Sequence, residues 1–106
     1  MTVDDIKLTV KDYAIGKVTR REIPILQRYF IKKYCSWLPM RAIAEATGGK
    51  EHTRVIDALR IVNTNPRLFS ISIPLDFILD AKMKNQIVNY KSVSLFFEFQ
   101  ANKRKN

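Results

Sequence analysis

The sequence is poor in the residues from which most catalytic and cofactor sites are built. Its 106 residues include three glycines, one cysteine and one histidine. With only Gly16, Gly48 and Gly49, neither a P-loop nor a dinucleotide fingerprint can be written, so no nucleotide is expected. One His and one Cys fall short of the common zinc sites. A Cys35–His52 dyad can be drawn on paper, but each residue sits more naturally in its own helical pattern. Asp4 and Asp5 at a helix start answer the helix dipole better than they suit acid–base work. The expectation is a protein that is not an enzyme and takes no cofactor or metal. The lone Cys35 cannot form an internal disulfide and fits a reducing compartment. No apolar run approaches the ~18 residues that span a bilayer. The opening Met1-Thr2-Val3-Asp4-Asp5 is unlike a secretory leader. These absences predict a soluble, cytoplasmic protein with no membrane partner.

Acidic residues are also scarce. Lys and Arg number 19 against 10 Asp and Glu, a formal charge of +9. A surplus of that size favours a polyanionic partner, nucleic acid before an anionic membrane surface. Residues 1–62 carry 12 basic and 7 acidic groups and residues 63–106 carry 7 and 3, so the charge is not a basic tail. The hydrophobic fraction of 46%, with six Phe, four Tyr and one Trp, supplies one core.

Hydrophobic spacing orders the first part of the chain into four helices. Thr2 caps a helix in which Val3, Ile6, Val10 and Tyr13 share a face, and Gly16 ends it. Lys17-Val-Thr-Arg-Arg21 forms a basic connector. Pro24 suits the first turn of a second helix, with Leu26, Phe30, Tyr34 and Trp37 on one stripe. Arg28, Lys32 and Lys33 are left to its outer surface, where they extend the connector into a candidate phosphate-binding strip. Pro39 opens a short third helix with Met40, Ile43 and Ala44 inward, and Gly48-Gly49 stops it. A fourth helix from about Lys50 to Val62 packs Val55, Ala58, Leu59 and Val62. Helix, glycine turn and helix within 25 residues is the helix-turn-helix pattern.

Asn63-Thr-Asn-Pro66 breaks the chain, which divides it into a helix-turn-helix domain at 1–63 and a C-terminal extension at 64–106. In the extension Leu68–Ile73 alternates like a strand and Leu75–Ile87 reads as helix. Val93–Phe99 alternates again, with Val93, Leu95, Phe97 and Phe99 on one side. The end, residues 102–106, is expected to fray. The fold class is therefore mainly α, with one helix and one or two short strands added by the extension.

The chemistry concentrates at the start of the fourth helix. A recognition helix reads base edges mainly with its N-terminal residues. Glu51 can accept from cytosine N4, Thr53 can bond a base or touch a thymine methyl, and Lys50 or Arg54 can reach guanine or phosphate. With Val55, Leu59 and Val62 inward, Lys50, Thr53, Asp57 and Arg60 point outward. His52 lies at the edge of the apolar arc, where it either contacts DNA or packs against the turn. Arg54 and Asp57 are spaced to form an exposed pair.

Gly48-Gly49-Lys50-Glu51-His52-Thr53-Arg54-Val55, then Ala58-Leu59-Arg60, resembles the signature of the C-terminal DNA-binding domain of the bacterial replication initiator DnaA. That signature runs roughly Gly-Gly-Arg-Asp-His-Thr-Thr-Val, and Pro24 falls where the family places a proline after its basic loop. The resemblance covers residues 2–62 and implies a Trp-repressor-like helix-turn-helix that binds double-stranded DNA. It implies base reading by Glu51, His52 and Thr53 and DNA contact by Lys50. A minor-groove role is implied for the connector Lys17, Arg20 and Arg21. Arg54 stands where the family has a second Thr, Thr47 where it has Phe, and the connector is several residues shorter. The resemblance touches no ATPase segment, so it implies neither ATP-driven assembly nor origin melting.

The expected function is sequence-specific duplex binding by a stand-alone DnaA-like protein, in replication initiation or transcription regulation. It would work in the bacterial cytosol or nucleoid, or in a phage-infected cell. Base contacts fall to Lys50, Glu51, His52, Thr53 and Arg54. Phosphate or minor-groove contacts fall to Lys17, Arg20, Arg21, Arg28, Lys32, Lys33 and Arg60. If Lys17, Arg20, Arg21, Lys32 and Lys33 neutralise about five phosphates, log K falls against log salt with slope ~−4.5. The alternative is an interaction module. Phe96, Phe97 and Phe99 lie close together in the extension, which either completes the core or forms a surface for a homodimer or a host replication or transcription protein.

Overall fold

The computed structural model of the protein describes residues 1–104. These form six helices: α1 (Val3–Ala14), α2 (Glu22–Tyr34), α3 (Met40–Ala46), α4 (Thr53–Thr64), α5 (Pro66–Met83) and α6 (Tyr90–Arg104). The chain is mainly α, as expected. The only β-type contact among the described residues is an isolated bridge between Ile15 and Val18.

Local chemistry explains most of the boundaries. Thr2 accepts the Asp5 N–H at 3.1 Å while the Asp5 carboxylate accepts the Thr2 N–H at 3.0 Å, a reciprocal capping box at the head of α1. Gly16 follows α1 with φ +80°, and the N–H groups of Lys17 and Val18 both return to the Ala14 carbonyl. Glu22 reaches back to the Thr19 N–H at 2.9 Å as α2 begins. The Asn65 side chain accepts the N–H groups of Arg67 and Leu68, and Pro66 occupies the first turn of α5, where its missing donor costs nothing.

Helix α2 lies at the centre and touches α1, α3, α4 and α5. Its Leu26, Phe30 and Ile31 are fully buried with Ile6 and Val10 of α1, Ile43 of α3, and Val55 and Val62 of α4. Burying each such side chain contributes about 1.5–3 kcal/mol. Leu68, Leu75, Ile78 and Leu79 of α5 and Val93 of α6 belong to the same apolar cluster. Polar contacts reinforce the join: Ser94 Oγ donates to Tyr13 Oη at 3.0 Å, and Lys82 Nζ donates to Thr9 Oγ1 at 3.0 Å and Tyr90 Oη at 2.7 Å.

The extension departs from expectation. Leu68–Ile73 and Val93–Phe99 are helical in α5 and α6, with no strand there. Alternation misled because α5 is apolar on more than one side: it buries Leu68, Leu75, Ile78 and Leu79 yet leaves Phe69, Ile73 and Phe77 half-exposed. Pro74 also sits inside α5, where it leaves the Ser70 carbonyl without its usual donor. Helix α5 ends at Met83 instead of Ile87, and Asn85 takes φ +57° in the turn that follows. Helix α6 continues to Arg104; of the end expected to fray, Lys105 and Asn106 lie outside the described residues.

Trp37 is also displaced from its expected place. Helix α2 ends at Tyr34, so Trp37 leaves the buried stripe and is 73% exposed. Leu59 is only partly buried, while Val55, Ala58 and Val62 carry the inner face of α4. No helix among the described residues is long and apolar enough to cross a membrane.

Candidate nucleic-acid interface

Two glycines build the turn between α3 and α4. Gly48 follows Thr47 at φ +84°, and its N–H donates to the Glu45 carbonyl at 3.2 Å. The Gly49 N–H donates to the Ala44 carbonyl at 2.7 Å. This pair of bonds is a Schellman motif, which satisfies carbonyls that a helix end leaves open. Gly49 is constrained by space: a Cβ there would lie 3.3 Å from the Ala44 carbonyl oxygen, closer than it tolerates without movement.

Because Gly49 is tied back to α3, the next helix starts late. Helix α4 begins at Thr53 and not at Lys50, with His52 at its N-cap making no side-chain capping bond. The N–H groups of Arg54 and Val55 turn back to the carbonyls of Glu51 and His52 at 3.1 and 3.0 Å. Lys50, Glu51, His52, Thr53 and Arg54 are all exposed, in the turn and in the first residues of α4. Thr53 Oγ1 donates to Glu51 Oε2 at 3.3 Å, which holds those two side chains together. His52 is on the surface and is not packed into the core.

Arg28 corrects the sequence reading. It was expected on the outer surface of α2; it is instead half-buried and directed at the turn. Its Nε donates to Thr47 Oγ1 at 2.9 Å and its Nη2 to the Thr47 carbonyl at 3.2 Å. Thr47 Oγ1 in turn donates to the carbonyl oxygens of Ile43 and Ala44. Burial, and then the nearby charge of Arg54, holds the Arg28 guanidinium below its ordinary pKa, although an arginine stays charged. Arg28, Gly48, Gly49, Lys50, Glu51 and Arg54 line an open cleft of about 440 Å³. Thr47 was given no role by the sequence; the only signal available was its place just before the glycine pair.

The other basic residues divide by their partners. Lys17, Arg20 and Arg21 are exposed in the α1–α2 connector, and Lys17 Nζ donates to the Tyr13 carbonyl at 3.1 Å, capping the end of α1. Lys32 is part-exposed on α2 and makes no ion pair among the described residues. Lys33 is not free as expected: its Nζ lies 2.8 Å from Asp76 of α5. Arg60 pairs with Asp57 at 3.4 Å, so the expected Arg54–Asp57 pair does not form and Arg54 keeps an unopposed charge among the described residues. Arg67, which the sequence did not single out, is bound to Glu22.

The structure thus brings Arg28, Lys50, Glu51 and Arg54 around one cleft, with His52 and Thr53 exposed beside them. No group of three or more His, Cys, Asp or Glu that could hold a metal occurs among the described residues. Comparison of the chain with protein-family models, curated proteins and solved structures found no match.

Proposed function

We propose that this protein binds double-stranded DNA sequence-specifically through the turn and the N-terminal end of α4. The observation that carries this reading is the exposure of five consecutive polar side chains, Lys50 to Arg54, at the head of a helix. That helix is anchored by the glycine turn and by Arg28 on Thr47. Side chains that must meet base edges need such a fixed frame, because looseness in the frame weakens the discrimination. Glu51 and Thr53 supply acceptor and donor groups for base edges, and Lys50 and Arg54 supply cations for guanine or phosphate. Lys17, Arg20, Arg21 and Lys32 contact the phosphate backbone and set the register. Arg28 acts as a strut under the reading residues, and Lys33 and Arg60 are engaged with carboxylates.

In this reading the chain is a DnaA-like helix-turn-helix protein of the bacterial or phage-infected cytosol. It serves replication initiation or transcription regulation without nucleotide. Selection of bound sequences from a random duplex pool tests it. A defined motif with wild type, altered at particular positions by Thr53→Ala, is the expected result. Recovery of unselected sequence, with equal affinity for every duplex, overturns it.

A further inference from the structure

An apolar surface lies on α5, on the side turned away from the core. Phe69, Ile73 and Phe77 recur at four-residue spacing and are 46%, 44% and 54% exposed. Side chains at that spacing form one continuous stripe along a helix. The stripe extends onto α6, since the Phe77 ring lies 6.0 Å from that of Phe97, which lies 5.3 Å from that of Phe96. Phe96 is itself 55% exposed. Beside the stripe, Tyr29, Lys33, Phe69, Ser72, Ile73 and Asp76 line a shallow groove of about 210 Å³.

Charge says what this face meets. The chain carries 19 Lys and Arg, yet residues 68–81 contain none, and they contain two acids, Asp76 and Asp80. The nearest α2 cation, Lys33, is paired with Asp76. The stripe is therefore unsuited to nucleic acid. It is also a place where two copies of a +9 chain can approach without setting cation against cation.

We propose that the Phe69–Ile73–Phe77 face of α5 is a two-fold homodimer interface. Phe69 and Phe77 are each four residues from Ile73, so an antiparallel α5–α5 pairing centred on Ile73 is self-complementary, as a two-fold contact must be. Phe69 of each copy meets Phe77 of the other, next to the groove at Tyr29, and Ile73 meets its counterpart at the axis. Taking about 200 Å² for each aromatic side chain, the stripe and Phe96 expose roughly 400 Å² of apolar surface per copy. Homodimer interfaces are about 65% apolar, so this corresponds to roughly 1,200 Å² in total, at the lower end of stable complexes. A dimer presents two copies of α4, and a DNA site read by it would be an inverted pair.

The test needs no DNA and so stands apart from the function proposed above. Sedimentation equilibrium of the full chain over a wide concentration range should approach twice the 12.4 kDa chain mass. Ile73→Asp places two carboxylates at the axis and should give a monomer with unchanged helical circular dichroism. Ile73→Cys should cross-link to a covalent dimer under mild oxidation. Ile87→Cys, at a fully exposed position beyond α5, should not, and the buried Cys35 does not compete. A wild-type protein that stays monomeric at the highest concentration overturns the proposal. So does an Ile73→Asp dimer, or an Ile73→Cys protein that links no faster than Ile87→Cys.

Discussion

Arg28 of α2 donates two hydrogen bonds to Thr47, Nε to the side-chain oxygen at 2.9 Å and Nη2 to the carbonyl at 3.2 Å. A residue on the central helix thereby holds the turn that delivers Lys50 to Arg54. Hydrogen bonds from a charged donor contribute about 1.5–3 kcal/mol. Arg28→Ala should lower unfolding free energy in urea by about that amount. It should also weaken binding to a selected duplex more than Lys32→Ala does. Unchanged stability would show that the strut carries no load.

Gly48 lies at φ +84° with open space where a Cβ would stand. The cost of a side chain there is conformational and not steric. Gly48→Ala should destabilise the protein by about 1–2 kcal/mol. Gly48→Asn should cost less, because asparagine tolerates the left-handed region. Thermal melts of the two variants check the order.

Base reading and phosphate binding separate in mutants of the proposed interface. Thr53→Ala should cost ~1–3 kcal/mol on duplexes carrying the preferred base pair and little on those that lack it. Competition binding on a set of single-base variants of the selected site gives the comparison.

Lys33 is already paired with Asp76, which leaves Lys17, Arg20, Arg21 and Lys32 as the proposed phosphate strip. Four contacts predict a slope of log K against log salt of ~−3.6. Lys32→Ala should make that slope shallower by about 0.9 and Lys33→Ala should leave it unchanged. A slope near zero excludes the strip.

The Arg67 guanidinium bonded to Glu22 holds its carboxyl below the ordinary glutamate value of 4.5. A carboxyl with a depressed folded-state pKa binds its proton less readily in the folded chain than in the unfolded one. Its stabilisation is therefore complete above pH about 4.5 and lost as pH falls through the lower folded value. The stability difference between wild type and Glu22→Gln should be constant near neutrality and shrink below pH about 4.5. Asp5, lowered by its hydrogen bonds to Thr2, titrates in the same direction. A difference that grows on acidification would contradict the assignment.

Where a signal is local, the sequence alone carried it. The Thr2 cap, the Gly48-Gly49 turn and the apolar spacing of Ile6, Val10, Leu26 and Phe30 depend on neighbours within a few residues, so the helices α1 to α4 and the outward Lys50 and Thr53 were legible from spacing, whereas the exposure of His52 was settled only by the fold. The helix read over Leu75–Ile87 is the second half of α5, but residues 68–73 and 93–99 read as strands and are helical, because Phe69, Ile73 and Phe77 on α5 and Leu95, Phe96 and Phe99 on α6 lie outside the core and blur the helical period. Tertiary structure also decided which cations are free. Arg28 meets Thr47 across 19 positions and Lys33 meets Asp76 on another helix. Charge pairing acts through space, and no residue pattern along a chain states which distant carboxylate or hydroxyl folding will bring within reach.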